Sequence, residues 1–199
     1  SWMDLDDIPA RFRTSLQTEY GDGGIGYWTF LNTLGNQDAR VTSVSRTGTW
    51  TETNNTGYGI DASHVTATAA ASINFTGTFD AITIHYRQVS GGGDFRYRVD
   101  AGAWTTVNTN GATAYGISTI SGLADASHAV NVEWVSGTVV LFGAYMISGS
   151  TSIVVNRCGH SGMTTGNLAG VDGTNWTAAA TSLDPDLAVI TLGTNDQTG

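Results

Sequence analysis

Apolar residues recur with three different spacings along the chain, and the first spacing is helical. They fall at steps of three and four, which places them on one face of a helix; they are Leu5, Ile8, Phe12, Leu16 and Tyr20. Pro9 either kinks this helix or marks the first turn of a shorter one. Gly21 begins a glycine-rich stretch, so we expect the helix to end there. We assign residues 1–34 to this N-terminal helical segment.

The middle segment, residues 35–150, alternates between apolar and polar residues, which is the period of a strand with one buried face. In Phe95–Val99, for example, the aromatic residues and the valine share one face and both arginines share the other. Turns such as Ser90–Asp94 and Asp100–Gly102 separate these runs, as in hairpins. About eight or nine short strands at this spacing predict an antiparallel β-sandwich of the jelly-roll or carbohydrate-binding-module type.

The last segment, residues 151–199, contains two nearly continuous apolar runs, Ile153–Val155 and Leu187–Leu192. Such runs are typical of strands that are buried on both faces of a parallel sheet. Between them lies a helical stretch at Trp176–Leu183, which ends at Asp184-Pro185. Together these parts predict one βαβ unit with a right-handed crossover. The predicted fold class is therefore an α/β frame with parallel strands, interrupted by the antiparallel β-sandwich.

Composition and charge exclude several classes of partner. The 199 residues carry 8 basic and 17 acidic side chains, a formal charge of −9. Nucleic acids and anionic membrane surfaces need clustered positive charge, so neither is predicted as a partner. No apolar run approaches the roughly 20 residues that span a bilayer, so no membrane insertion is predicted. Cys158 is the sole cysteine, which excludes an internal disulfide.

Unusual polar turns follow both predicted buried strands. Asn156–Thr165 follows the first strand, and Gly193–Asp196 follows the second. Ligands of parallel sheets bind at the carboxyl ends of the strands, so we expect the two turns at one edge. A backbone N–H in a glycine turn and an asparagine amide are the parts of an oxyanion hole. Gly159 and Asn195 are the candidate donors.

These two turns resemble the conserved blocks of the SGNH (GDSL-type) hydrolases. That family places a glycine after one buried strand and Gly-x-Asn-Asp after the next, which Gly159 and Gly193–Asp196 match. The resemblance implies a flavodoxin-like frame, serine esterase chemistry, and the Gly159 N–H and the Asn195 side chain as oxyanion donors. More narrowly, the chain resembles esterase-type tail proteins of actinobacterial phages. Those proteins have a similar first helix with a tryptophan, a stretch like Gly23–Tyr27, and a β-sandwich before a Gly-His-Ser-Gly turn.

The chain departs from this family at the nucleophile and the base. The family's serine lies in a Gly-Asp-Ser block before the first helix, but Gly21–Gly23 has glycine where the serine would be. Its histidine lies in an Asp-x-x-His block after Gly-x-Asn-Asp, whereas this sequence ends three residues past Asp196. We therefore expect an internal portion of a longer protein. Whether the chain as given is an enzyme stays open.

Four other arrangements offer replacement catalytic groups, and each has a structural interpretation. Asp61–His64 and Asp125–His128 both spell Asp-x-x-His, but both precede predicted strands and are better explained as turn and strand-start residues. Ser161 is better explained as the cap of the helix that follows. Cys158 with His160 would make a thiol–imidazole pair, although a lone cysteine beside a buried strand usually packs.

The predicted sandwich offers a second kind of site. Trp104 follows the turn at Asp100–Gly102, and we name it as a candidate glycan contact; Trp134 alternates with valines and is expected in the core. The four histidines lack zinc spacing, so no metal and no cofactor are predicted. Calcium bound by loop oxygens stays an open alternative, because such ligands leave little sequence signature.

The sequence thus predicts a phage tail-associated SGNH-type esterase or deacetylase that acts on acylated glycans of a bacterial cell envelope. The alternative is a non-enzymatic tail protein that binds a receptor or glycan on a relic hydrolase frame. The expected partners are a glycan or acylated polysaccharide and other virion tail subunits. The expected location is the virion tail, or alternatively a secreted bacterial protein.

Overall fold

The computed structural model describes residues 7–32, 38–55, 58–149, 152–159 and 162–190. In chain order the strands are β1 (Gly26–Thr29), β2 (Thr42–Thr47), β3 (Thr51–Thr53), β4 (His64–Ala67), β5 (Ser72–Phe79), β6 (Ala81–Gln88), β7 (Asp94–Val99), β8 (Thr105–Asn108), β9 (Ala114–Ile120), β10 (Ala126–Ser136) and β11 (Val139–Ile147). The helices are α1 (Asp7–Tyr20), α2 (Thr165–Ala169) and α3 (Gly173–Leu183).

The strands form two sheets whose inner faces enclose one core. A six-stranded sheet has the order β3-β4-β11-β6-β9, with β1 also paired to β11, and a five-stranded sheet has the order β2-β5-β10-β7-β8. In β7 the side chains of Phe95, Tyr97 and Val99 are buried, while Arg96 and Arg98 point to the outer face. The alternating pattern therefore predicted the β-sandwich correctly, because a period of two matches the pleat of a half-buried strand.

β11 is the most deeply buried strand of the sandwich. It pairs with β6 on one side and with both β4 and β1 on the other. Its inner face packs in the core, while Tyr145 on the opposite face packs in a second cluster with α3. Gly143 lets β1 come this close, because a Cβ there would collide with the carbonyl oxygen of Trp28. Both faces of this sheet are therefore covered.

The predicted fold class, an α/β flavodoxin-like frame with parallel strands, is wrong for the part of the chain that the structure describes. Every pair of named strands is antiparallel, and parallel contacts are limited to isolated bridges such as Asp22 with Ile153. Val154 and Val155 continue without strand pairing, and residues 187–190 are irregular. Leu187 and Val189 are 74% and 72% exposed. A continuous apolar run indicates that both faces of a strand are covered, but it does not indicate the direction of the neighbouring strands. β11 is such a strand, and its partners are antiparallel.

Polar contacts, more than apolar ones, attach α1 to the sandwich. Phe12 and Tyr20 of the predicted apolar face are 49% and 55% exposed. Gln17 instead donates from its side-chain amide to the Ile153 carbonyl at 3.0 Å. The helix ends as predicted, since Gly21 has φ of +92° and donates its N–H to the Gln17 carbonyl at 3.0 Å. Positive φ is the conformation that favours glycine at this position.

The C-terminal helices begin at side-chain caps. Asp172 caps α3 by accepting from the backbone N–H groups of Thr174 and Asn175, and α3 ends at Asp184 in the left-handed conformation. This confirms the predicted helix and its end before Pro185. The cap of α2 is Thr164, whose hydroxyl accepts from the Asn167 N–H at 3.0 Å. The assignment of that cap to Ser161 is therefore wrong, and Ser161 itself lies outside the described residues.

Truncation of a core phenylalanine tests which aromatic residues hold the sandwich together. Phe75 is 1% exposed and packs against Trp28 with ring centroids 4.6 Å apart. We expect Phe75→Ala to lower the free energy of unfolding by about 3–5 kcal/mol, because it leaves a cavity. The matched control Phe12→Ala, on the exposed side of α1, should cost less than about 1 kcal/mol. Urea denaturation measures both, and equal losses would contradict the assigned core.

Candidate functional site

The candidate site is built on residues 152–159, which we call the return segment. It runs alongside residues 21–27, where Gly23 donates its N–H to the Ile153 carbonyl at 3.0 Å. The side-chain oxygen of Asn156 accepts the backbone N–H of Tyr27 at 2.8 Å. Because the Tyr27 residue is buried, this bond satisfies a donor that water cannot easily reach. These contacts hold the return segment against β1.

Two glycines make this close approach possible. A Cβ at Gly26 would lie 2.7 Å from the Asn156 side-chain oxygen, and Gly26 has φ of +79°. A Cβ at Gly23 would lie 2.8 Å from the carbonyl carbon of Ile153. Gly23 and Gly26 therefore have a packing reason in this fold, because a side chain at either position would push the return segment away.

A cluster of buried and half-buried polar side chains lies between the six-stranded sheet, α3 and the return segment. We call it the tyrosine–histidine cluster; its members are Tyr27, His85, Tyr115, Tyr145 and Cys158. The Nδ1 atom of His85 and the Tyr115 hydroxyl are 2.6 Å apart. The Tyr27 and His85 rings meet edge to face with centroids 5.7 Å apart. The cluster fills the outer face of the sheet with polar aromatic groups.

Burial keeps the groups of this cluster neutral. It raises the pKa of the Cys158 thiol far above its usual range, and the nearby Asp61 carboxylate adds to the shift. Burial also lowers the pKa of His85 to about 4. A thiol that stays protonated is a poor nucleophile, and an imidazole of such low basicity is a poor general base. Cys158 packs against this cluster, as the packing interpretation expects, and His160 lies outside the described residues.

Both Asp-x-x-His blocks are structural, as the turn and strand-start interpretation predicted. In the first block, the Ser63 hydroxyl donates to the Asp61 carboxylate at 2.5 Å. His64 begins β4, and its ring stacks on Tyr58 with centroids 5.3 Å apart. Neither the aspartate nor the serine of this block is hydrogen-bonded to His64 in the described part of the chain.

The second block pairs its histidine with a different aspartate. The Nδ1 atom of His128 lies 2.7 Å from the Asp100 carboxylate, in the turn after β7. Its Nε2 atom lies 2.9 Å from the Ala124 carbonyl oxygen. Two oxygen acceptors around one imidazole favour the doubly protonated ring. Although burial alone would lower the pKa of His128, these hydrogen bonds raise it.

Gly159 is exposed at the end of the return segment, directly after the half-buried Cys158. Asn195, like the rest of Gly193–Asp196, lies outside the described residues. The oxyanion pair of Gly159 and Asn195 therefore stays a prediction.

Trp104 lies on the outer face of the five-stranded sheet, just before β8, and is partly exposed. The guanidinium carbons of Arg96 and Arg98 each lie 4.3 Å from the centroid of its ring. Cation–π contact at this distance is attractive and orients both partners. A glycan contact by Trp104 stays a prediction, and the ring already has cationic neighbours.

A row of polar side chains that the sequence pattern did not indicate lies on this same face. The Asn131 amide donates to the Asn74 side-chain oxygen at 2.8 Å, and Arg98 donates from Nε to the Asn131 side-chain oxygen at 3.2 Å. These residues meet because β5, β10 and β7 pair in register, with Asn131 opposite both Asn74 and Arg98. Asparagine at an outward position of β5 and of β10 was the available signal, but strand order was needed to join them.

Two features are absent from the described residues, a metal-binding cluster and a membrane-spanning helix. No group of three or more histidine, cysteine, aspartate or glutamate side chains there is arranged to hold a metal ion. Among the helices of the same part of the chain, none is both long and apolar enough to cross a membrane.

Comparison with known proteins shows similarity in fold. No protein-family model matches the chain, and no curated protein matches it in sequence. A solved structure of a peptidoglycan O-acetylesterase superposes with a TM-score of 0.73 at 17% identity, covering 98% of this chain and 54% of that one. The chain thus has the fold of about half of that structure.

Carbohydrate-active proteins are also among the structural neighbours, with lower scores. A family two carbohydrate esterase from Cellvibrio japonicus gives a TM-score of 0.40 at 14% identity, covering 59% of this chain and 34% of that one. A carbohydrate-binding module in complex with β-1,4-galactotriose gives 0.38 at 12% identity, covering 61% of this chain and 99% of that one.

Removal of the Asn156 side chain tests how the return segment is held. We expect Asn156→Ala to lower the free energy of unfolding by about 1–3 kcal/mol, because the buried Tyr27 N–H loses its acceptor. Asn54→Ala is the matched control, since Asn54 is exposed. Urea denaturation with tryptophan fluorescence reports the difference. Equal stability of the two variants would contradict the anchoring role of Asn156.

The His128–Asp100 pair predicts a pH-dependent contribution to stability. A histidine whose pKa is raised on folding stabilises the protein below its unfolded pKa, and this contribution is lost as pH rises through the folded pKa. The loss of stability in His128→Gln, relative to the unsubstituted chain, should therefore be larger at about pH 5.5 than at about pH 8.5. Urea denaturation at both pH values measures it; a pH-independent loss would contradict the pairing.

Proposed function

We propose that these 199 residues are part of an SGNH-type serine esterase or deacetylase that acts on O-acyl groups of a bacterial cell-envelope glycan. The observation that carries the proposal is the fold shared with a peptidoglycan O-acetylesterase over 98% of this chain. The exposed Gly159, at the end of an anchored return segment, supports it from the chain's own chemistry. Because the chain spans 54% of that structure, we place the remaining catalytic groups elsewhere in a longer protein.

In the proposed reaction, these residues supply the oxyanion donors, and the rest of the longer protein supplies the serine and the histidine. A serine hydroxyl attacks the ester carbonyl while a histidine takes its proton. The Gly159 N–H and the Asn195 amide donate to the negative oxygen of the tetrahedral intermediate. The intermediate then expels the sugar oxygen, which takes the proton from the histidine. Water attacks the acyl-serine in the same way and releases the carboxylic acid.

The proposed location is the tail of a bacterial virus, where other tail subunits are the neighbours. This part of the proposal rests on the likeness to actinobacterial phage tail proteins in the first helix, the Gly23–Tyr27 stretch and the order of segments. The acidic, lysine-poor composition suits a surface that meets glycans rather than nucleic acid. A secreted bacterial protein is the alternative location.

A second candidate function is glycan binding without catalysis. The observation that favours it is the row of asparagine and arginine side chains on the outer face of the five-stranded sheet. Amide and guanidinium groups are suited to the hydroxyl groups of sugars. In that case the sandwich is the active part, and the protein binds the glycan without hydrolysing it.

Substitution of Asn195 in the longer protein tests the esterase proposal. We expect Asn195→Ala to lower kcat for 4-nitrophenyl acetate by about 10²–10³, because one oxyanion donor is lost. The matched control Asn54→Ala should keep full activity, since Asn54 is exposed in the sandwich. Unchanged turnover in Asn195→Ala would overturn the role of Asn195. Absence of turnover in the unsubstituted longer protein would favour the binding function.

A further inference from the structure

We propose that Arg98 binds the carboxylate of an acidic sugar on the outer face of the five-stranded sheet, with Asn131 and Asn74 beside it. The proposal names the chemical class of the glycan and rests on the glycan partner of the proposed function. It involves no catalytic group, so it applies equally to an esterase and to a binding protein.

The guanidinium of Arg98 is oriented by two neighbours and still has free donors. Its Nε donates to the Asn131 side-chain oxygen at 3.2 Å, and its central carbon lies 4.3 Å from the Trp104 ring centroid. Among the described residues, neither of its terminal nitrogens has a hydrogen-bond partner, and no carboxylate lies within 4.0 Å. A guanidinium fixed in this way presents a planar fork, the geometry that pairs with a carboxylate.

Arg96, on the same strand, is an arginine that already has a carboxylate partner. It lies two residues before Arg98 on the same face and contacts the same indole. Its Nε and Nη2 donate to a Glu133 carboxylate oxygen at 2.9 and 2.7 Å. The protein thus supplies a carboxylate to one arginine and leaves the next without one. In a chain of net charge −9, the Arg98 guanidinium without a carboxylate partner favours an anionic ligand.

The neighbours of Arg98 favour a saccharide over an acidic peptide. Asn131 donates to Asn74 at 2.8 Å, and the Asn74 amide lies 3.4 Å from the Ser45 hydroxyl. This row of amides and hydroxyls crosses β10, β5 and β2 beside Arg98. Sugar hydroxyls can accept from and donate to such groups, whereas peptides are bound at a strand edge, in an apolar groove or by a cluster of arginines. The combination of one cation and many neutral polar groups fits a sugar acid.

Trp104 is a positioning residue in this proposal. Its ring contacts both guanidinium groups at 4.3 Å, so it restrains Arg98 without touching the carboxylate. Trp104→Phe should keep the aromatic contact and the preference for an acidic sugar. Trp104→Ala should lose that preference while the chain stays folded.

Titration of the 199-residue chain with two related sugars tests the proposal. N-acetylmuramic acid carries a lactyl carboxylate that N-acetylglucosamine lacks, so the pair isolates the charge. We expect N-acetylmuramic acid to bind about tenfold more tightly at low salt, and to shift the NMR signal of the Arg98 Nε–H group. The preference should weaken in about 1 M salt, because exposed charges are screened.

Three variants separate this site from general electrostatics. Arg98→Gln should abolish the preference for N-acetylmuramic acid, and Arg98→Lys should retain part of it, since lysine keeps the charge without the fork. Arg11→Gln makes the same change in net charge at an exposed position of α1 and should leave the preference intact. A preference that survives Arg98→Gln overturns the proposal. So does equal binding of both sugars, or binding of a short acidic peptide in place of the sugar acid. None of these outcomes bears on ester hydrolysis, which the kinetics of the longer protein decide.

Discussion

Burial of β11 on both faces is the constraint on which the rest of this structure depends. Its inner side chains complete the sandwich core with β5 and β10, and its outer side chains, such as Tyr145, require a second layer. That layer is supplied by α3 and the return segment. Because β11 also pairs with β1, the chain before the sandwich and the chain after it are brought together at one sheet. The sandwich therefore brings β1 and the return segment together.

The second layer removes several polar side chains from water. Polar side chains occupy this layer in place of aliphatic ones, and desolvation favours the neutral form of each. They are Tyr27, His85, Tyr115 and Cys158. Neutral phenol and imidazole groups can share hydrogen bonds without the cost of a buried charge. The cluster thus fixes residues 156–158 firmly. Gly159, the candidate oxyanion donor, follows directly and is exposed.

The parts of the fold that follow from local pattern were predictable, and those that follow from strand pairing were not. Alternation in Phe95–Val99 and the stop signals after α3 depend on neighbouring residues, so the sequence alone indicates them. The parallel frame was inferred from continuous apolar runs, which record covered faces but not the direction of the neighbouring strand. Asn74 and Asn131 are 57 residues apart and meet only through register. A single sequence does not encode register locally, because turns and the opposite strand set it.

The outer faces of the two sheets have different surroundings, because α3 and the return segment pack against the six-stranded sheet. Cys158, next to Gly159, lies against the six-stranded sheet, whereas Arg98 lies on the outer face of the five-stranded sheet. Packed sheets are about 10 Å apart, so the two positions are separated by at least the thickness of the sandwich. One sugar unit cannot occupy both. If the proposals for both positions hold, the ligand is a polymer, bound through an acidic unit on one face and acylated on a unit that reaches the other. Recognition and hydrolysis would then involve different residues of the glycan.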